Sequence, residues 1–375
     1  WRSTRAREPV WTTLGAVADE RNSALKGGGR STVTSERRDN DDGEPSGECR
    51  PCTVPVEVLL ERLQRHAPDN RYLERFLREP FLEEILAEGA LRMLLQMKKC
   101  AKEVTEAYAA SLQAMAMLSA SGRTSPRGKG AVVLDVCCGK GLMSVLLSFL
   151  LPEAKIVLFD SNGAMDLAHV GARPNLTFRQ LDLFAADALE ILVDAAALGH
   201  ACIAVGTHLC GALSPRLLDL ALRADPVDGL VLSPCCLRGG LGGKVGKLGR
   251  KQRLDPYHVL VATLTELARF EMAAAADASA ADAHDEGVAS AAEVALHPEG
   301  SAESVYDDWV TSPKNGFIVV CKPRLEASKR AGATPRAGQR ASNETSAHTR
   351  VATHPDAGGT ADVDRVTPPP AATRG

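Results

Sequence analysis

The stretch VVLDVCCGKG, residues 132–141, decides how this chain folds, and IVLFD, residues 156–160, completes the reading. The first piece is a run of β-branched and aliphatic residues, the pattern of a strand buried on both faces. It carries an acid near its end, Asp135, and turns through Gly139 and Gly141 into the apolar helix LMSVLLSFLL. The second piece is another buried strand, with Asp160 at its carboxyl end. In a doubly wound sheet two such ends lie side by side at the switch point, where nucleosides bind. A carboxylate there accepts both ribose hydroxyls, and glycines in the turn let a ligand approach the backbone.

The turn selects among nucleoside ligands. Gly139 and Gly141 have the first spacing of G-x-G-x-x-G, but Ser144 stands where a dinucleotide fingerprint has its third glycine. Asp135 would repel a pyrophosphate. It would attract S-adenosylmethionine, which carries a sulfonium and an ammonium, so that methyl donor is the expected cofactor. The plainer alternative is a βαβ unit whose glycines only make the turn.

Composition limits the rest. The chain has 375 residues, but residues 1–54 mix Arg, Ser, Asp and Gly without periodicity, and residues 324–375 are rich in Ala, Thr, Pro, Gly and Arg. Both ends are expected to be disordered. Between them lie a helical extension, 55–120, and one domain, 121–323, long enough for a sizeable core. A net charge of −3 gives no global field toward nucleic acid. No apolar run approaches the ~18 residues that span a bilayer, so no membrane association is expected. The chain begins at Trp1, so a fragment or a processed product is expected. Asp19, Glu20, Glu36, Asp39, Asp41 and Asp42 are too many acids for a transit peptide. Ten cysteines in this length do not make a secreted disulfide scaffold. Cys137, Cys138, Cys202, Cys210, Cys235 and Cys236 fall at or near predicted strand ends, which suits a reducing intracellular compartment, the cytoplasm first. Cys49 and Cys52 form a lone CxxC that reads as incidental.

Leu59, Leu60 and Leu63, then Leu73, Phe76 and Leu77, then Phe81, Ile85 and Leu86 repeat at helical spacing, and Pro80 suits the first turn of the third helix. A further helix carries Cys100, Val104, Tyr108, Leu112 and Met115 on one stripe. Strands are then expected at 131–137, 155–160, 176–181, 201–207 and 228–233. They alternate with helices at 142–151, 162–171, 184–197, 214–223 and 257–272. Residues 273–292 read as a loop or loose helix, and VALHPEG and NGFIVVCKP as a closing strand pair. Repeated βα units indicate a parallel sheet covered on both faces.

Ligands of such sheets bind outside the carboxyl ends of the strands. Asp135, Cys137, Gly139, Gly141, Asp160, Ser161, Asp182 and Leu183 are therefore the expected cofactor-binding residues. Asp182 is placed to accept the adenine amino group, or else to cap a helix. Phe184 and Leu183 would pack on the ring. His208, Cys235 and Cys236 are the expected acceptor-site residues. Three readings stay open for this group with Cys210: a pocket wall, a general base at His208, or zinc bound by His208 and the thiolates. Zinc is not expected, because side chains of adjacent residues diverge on extended backbone. A cysteine nucleophile would need a lowered thiol pKa. Residues 238–253, RGGLGGKVGKLGRKQR, carry Arg238, Lys244, Lys247, Arg250, Lys251 and Arg253 with no acid. They read as a mobile basic loop on the rim that could hold RNA phosphates, or as a solvated loop with incidental charge.

THLCG at 207–211 followed by SPCCL at 233–237 resembles a branch of Rossmann-type methyltransferases. That branch includes the tRNA acceptor-stem 2′-O-methyltransferases and the methyltransferase-like domain of glutathione-S-transferase C-terminal-domain-containing protein. QMKKCAKEV at 96–104, DPY at 255–257 and SPKNGFIVVCK at 312–322 resemble further blocks of plant and algal members. The likeness covers about 96–323. It implies an S-adenosylmethionine-dependent methyltransferase with an RNA acceptor, tRNA or rRNA. It also implies a class I α/β fold, a mainly parallel seven-stranded sheet with helices on both faces. The chain departs from the branch at Cys137, where the usual turn has its first glycine. It has Leu237 and Arg238 where the tRNA-modifying members continue CCHH, and it lacks their clustered zinc-finger cysteines. The alternative function is a catalytically inactive Rossmann scaffold that binds partners.

Overall fold

Six consecutive buried residues, Ala131–Val136, form β1 at the centre of the sheet. The computed structural model describes residues 54–285 and 300–323, with side chains omitted for 277–285. β1 pairs in parallel with β2 (Lys155–Asp160) on one side and with β4 (Ala201–Leu209) on the other. β3 (Leu176–Gln180) lies outside β2, and β5 (Gly229–Pro234) beyond β4. β7 (Gly316–Cys321) is antiparallel to β5, and β6 (Ser301–Tyr306) forms the edge. The order is β3-β2-β1-β4-β5-β7-β6. Strand order reverses at β1, so the ends of β1, β2 and β4 enclose the switch-point crevice.

Helices cover both faces because the central strands β1, β2, β4 and β5 are largely apolar and buried. One face holds α1 (Val56–Gln64), α2 (Arg71–Arg78), α3 (Phe81–Ala87), α4 (Gly89–Arg92), α5 (Cys100–Ser121) and α6 (Leu142–Leu150). Leu59, Leu73, Phe76 and Tyr108 share one core with Val133, Ile156 and Ile203 of the sheet. The N-terminal helices are thus fused to the sheet through a common core. Asn70 caps α2, its side chain accepting from the amides of Tyr72 and Leu73. The Tyr72 hydroxyl donates to Asp307 and ties α2 to the turn after β6. The opposite face holds α8 (Ala188–Ala196), α9 (Leu213–Arg223) and α11 (Pro256–Asp285), packed on Leu134, Phe159 and Leu232.

Three expectations change. The helix near 162–171 shrinks to α7, Ala168–Gly171. Asn162 and Asp166 turn the chain instead, their side chains accepting from the amides of Ala164 and Ala168. The 238–253 segment is not a loop: residues Gly240–Gln252 form helix α10. Its buried face carries Gly242, Gly246 and Gly249, and a Cβ at Gly242 or Gly249 would meet Cys236 O at 2.5 Å or Pro256 Cα at 2.9 Å. Glycines that read as loop punctuation permit close packing, while Lys244, Lys247, Arg250 and Lys251 are exposed. The first closing strand is Ser301–Tyr306 rather than VALHPEG, whose residues before Gly300 lie outside the described residues. It is an edge strand with little apolar alternation, so its pattern is weak. The Ala-rich stretch continues α11 as far as Asp285.

The expected disorder of 1–54 and 324–375 and the Cys49–Cys52 motif fall outside the described residues, apart from Val54. No helix among the described residues is long and apolar enough to cross a membrane.

Candidate cofactor cleft and acceptor site

The turn after β1 is built from left-handed residues. Cys137, Gly139 and Gly141 have φ of 59°, 52° and 71°. At Gly141 a Cβ would lie 2.7 Å from Leu158 Cδ2, so a side chain there would add a close contact to the strain of its positive φ. Gly139 opens onto space, with nothing within 4 Å of an added Cβ. Cys137 takes the same backbone region with a side chain, at a cost of about 1–2 kcal/mol. The Cys138 amide donates to Phe159 O (2.9 Å) and the Gly139 amide to Asp160 Oδ2 (3.0 Å). The β2 carboxylate therefore shapes the β1 turn directly. Asp160 Oδ1 accepts from Asn162 N at 3.0 Å.

Asp135, Cys137, Gly139 and Gly141 line a cleft of ≈ 340 Å³, together with Met97, Glu103, Glu106, Lys140, Thr207 and His208. Asp135 is 1 % exposed and accepts from Ser144 Oγ at 2.6 Å. Ser144, which breaks the dinucleotide pattern, thus serves the acid. Asp182 accepts from Phe184 N at 2.9 Å. Leu183 is buried in the core, whereas Phe184 is 56 % exposed. Asp182 and Leu183 do not line the same cleft as Asp135, and neither do Asp160 and the exposed Ser161. A second cleft of ≈ 400 Å³ shares Lys140 and is lined by Asn162, Met165, Asp166 and His169. Burial pulls the His169 imidazole below its ordinary value.

Burial drives the Asp135 carboxyl up to about 7 from 3.8, against the Ser144 hydrogen bond and with help from the Asp160 charge. Its folded value exceeds its unfolded one. The stability it contributes is therefore full below about 3.8 and is lost as pH rises through about 7. A cationic ligand favours the carboxylate, so affinity for S-adenosylhomocysteine, whose ammonium remains, should rise through the same window. Calorimetry in two buffers of different ionisation enthalpy should detect proton release on binding at pH 6 and little at pH 8. Asp135→Asn should abolish that difference. Proton release unchanged in the variant would mean that another group is responsible.

His208 sits in a bulge of β4 between Thr207 and Leu209, with φ of 59°. The bulge sends its ring toward α5. Nε2 lies 2.7 Å from Glu106 Oε2, 3.4 Å from Lys102 Nζ and 3.8 Å from Glu103 Oε2. Lys102 Nζ is 2.5 Å from Glu106. Burial pushes the Glu106 carboxyl up, but His208 and Lys102 more than offset this and hold it below the usual carboxylate range. An ionised Glu106 accepts the Nε2 proton, which leaves Nδ1 as the basic nitrogen of His208. Glu106 Oε1 is buried without a hydrogen-bond partner among the described residues. Sequence reasoning missed Glu103, Glu106 and Lys102. The available signal was an acid at position 106 amid the buried residues of α5, where an unpaired charge is rare.

The thiols form a separate group. Cys210 Sγ lies 2.8 Å from Cys235 Sγ and 2.9 Å from Cys236 Sγ, and the last two are 3.4 Å apart. The chain leaves β5 at Pro234, so the extended geometry that would separate adjacent side chains does not apply. The single His-and-Cys cluster expected from sequence is thus split. The imidazole turns to α5 and the thiols gather on the other side of the His208 backbone, whose carbonyl accepts from Cys235 at 3.1 Å. Burial raises Cys235, and hydrogen bonds from Cys210 lower Cys236.

Residues 98–239 match the family model of a methyltransferase domain. The match begins just before α5 and includes the helix that carries Glu103 and Glu106. Strand order and match together make this a class I, Rossmann-like methyltransferase fold, and S-adenosylmethionine is the cofactor they imply. The residues fit that group. The cleft has an acid at Asp135, an open backbone at Gly139 and an unmatched acceptor at Glu106 Oε1.

Solved structures that resemble the chain include an O-methyltransferase family protein from Burkholderia thailandensis, 13% identical, covering 72% of each chain with a TM-score of 0.29. Another is precorrin-6y C5,15-methyltransferase from Geobacter metallireducens, 13% identical, covering 61% of this chain and 90% of that one at 0.28. A cyclopropane-fatty-acyl-phospholipid synthase-like protein from Lactobacillus casei is 18% identical, covering 36% of this chain and 52% of that one at 0.24. The chain spans about half the length of the first structures it matches, 42% and 52%. No curated protein sequence matches the chain.

Proposed function

We propose that the protein transfers the methyl group of S-adenosylmethionine to RNA. The observation that carries the acceptor is a basic pocket of ≈ 460 Å³ beside the cofactor cleft, lined by Arg62, Arg65, His66, Lys98, Lys99 and Lys102 and by no acid. Met97 lines both spaces, and Lys102 connects them through Glu106. Phosphates are the natural occupants of such a pocket. The exposed lysines and arginines of α10 supply a further basic surface, and tRNA or rRNA is the acceptor this reading favours.

When bound, the cofactor supplies an electrophilic methyl carbon on a sulfonium. Asp160 would hold the ribose hydroxyls, Asp182 would receive the adenine amino group, and Asp135 would balance the cationic methionine end. Alignment of acceptor and donor is worth up to ~7–11 kcal/mol in the best cases. His208, oriented by Glu106, takes the proton of the attacking group at Nδ1, a contribution of ~10²–10⁴-fold.

The test is methylation of total RNA from a methylation-deficient source with radiolabelled donor. Arg62→Glu with Arg65→Glu should raise KM for RNA about tenfold or more and flatten the log–log salt dependence by about 1–2 units. S-adenosylhomocysteine affinity should not change. A variant with wild-type salt dependence would remove phosphate binding from this pocket.

A further inference from the structure

We propose that Cys210, Cys235 and Cys236 hold a zinc ion, with a fourth coordination position open to solvent. The three sulfurs converge from the ends of β4 and β5, all within 3.4 Å of one another. Zinc binds thiolates at about 2.3 Å and, when tetrahedral, holds them about 3.8 Å apart. Opening each pair by about 1 Å or less makes the site, which is within reach of χ1 rotation. A disulfide would use two of the sulfurs and leave the third beside it without a purpose.

The surroundings suit the ion. Three thiolates and one Zn²⁺ carry a net charge of −1, and Arg238 and Lys314 place positive charge near Cys236. Cys210 is exposed, so an ion can enter and a water can complete the tetrahedron. Three protein ligands and one exchangeable position is the form of a zinc site that also binds a ligand. The imidazole of His208 is not the fourth ligand, since Glu106 engages it. The other ligand-rich group, Glu103, Glu106 and His208, already contains a cation, the Lys102 ammonium. Binding replaces three thiol protons by one Zn²⁺, so up to three protons leave as the ion enters. The ion would clamp the β4 and β5 loops together and fix the bulge that aims His208. This inference does not depend on RNA being the acceptor.

The experiment uses the full chain carrying Cys49→Ser and Cys52→Ser, which removes the CxxC as a competing ligand pair. The protein is reduced with a phosphine, dialysed to equilibrium against micromolar zinc, and analysed for metal. One zinc per chain is expected. Cobalt in its place should give a thiolate-to-cobalt charge-transfer band and the visible bands of a tetrahedral ion, a readout that needs no further variant. Cys210→Ser and Cys236→Ser should each lose stoichiometric metal and the cobalt spectrum, while Cys321→Ser should keep both. A reduced, folded chain that takes up neither metal would overturn the proposal. So would uptake that survives Cys210→Ser and Cys236→Ser, or two of the three thiols remaining as a disulfide under the reductant.

Discussion

Asp160→Ala is expected to weaken S-adenosylhomocysteine binding by about two to four orders of magnitude. Two hydrogen bonds from ribose hydroxyls to a carboxylate are worth about 1.5–3 kcal/mol each, or about 3–6 kcal/mol together. Every 1.4 kcal/mol is about tenfold. The loss has a second source, because Asp160 also holds the Gly139 and Asn162 amides at 3.0 Å. Without it the turn that must admit the ligand loses its brace. Asp160→Asn keeps one acceptor oxygen and should lose less. Titration calorimetry on the full chain measures both, with circular dichroism as the check on folding. A folded Asp160→Ala protein that binds as tightly as the parent would remove Asp160 as the ribose ligand, and a folded parent chain that binds no S-adenosylhomocysteine would return the scaffold alternative.

Glu106→Gln is expected to lower kcat by about 10²–10⁴-fold, the range a positioned base supplies. Glu106 is a positioning residue that acts through His208. The substitution keeps the shape, removes the charge facing Lys102, and takes away the carboxylate that fixes the His208 tautomer. Breaking the cluster should also cost roughly 2–3 kcal/mol of stability, below the usual cost for a fully buried pair because Lys102 and His208 are partly exposed. Glu106 is held below the usual carboxylate range, so its contribution is full above about pH 4.5 and is lost as pH falls through its folded value. A purely structural role would lower stability alone. The discriminating measurement is a double-mutant cycle: in a His208→Ala background, Glu106→Gln should lower kcat little further. Additive losses would show that the two residues act separately.

The frame that carries the candidate site is legible in the amino-acid sequence. VVLDVCCGKG and IVLFD are central parallel strands, and buried parallel strands read as continuous apolar runs. Asp135, Asp160 and the glycine turn are local to those runs, so their placement follows from strand and turn geometry alone. Other features depend on contacts between distant segments. The 238–253 segment reads as a loop when its glycines and lysines are taken one by one. In the fold the glycines face the Leu237 and Pro256 neighbourhood and the cations face solvent, and the burial of that face makes α10 a helix. His208 and Cys210 are near neighbours in sequence, yet a one-residue bulge sends them to different sides of the strand end.

The chain alone determined the alternation of strands and helices, the switch point at β1 and the acids beside it. Each of these rests on hydrophobic periodicity and turn chemistry over a few residues. Only the tertiary structure decided that α5 lines the cleft, that Glu106 and Lys102 engage His208, and that Cys210 meets Cys235 and Cys236. Those pairings bring together residues 102 and 208, or 210 and 236, at distances set by how helices pack on a twisted sheet. No local pattern encodes that packing, because it is fixed by the sum of many nonlocal apolar contacts.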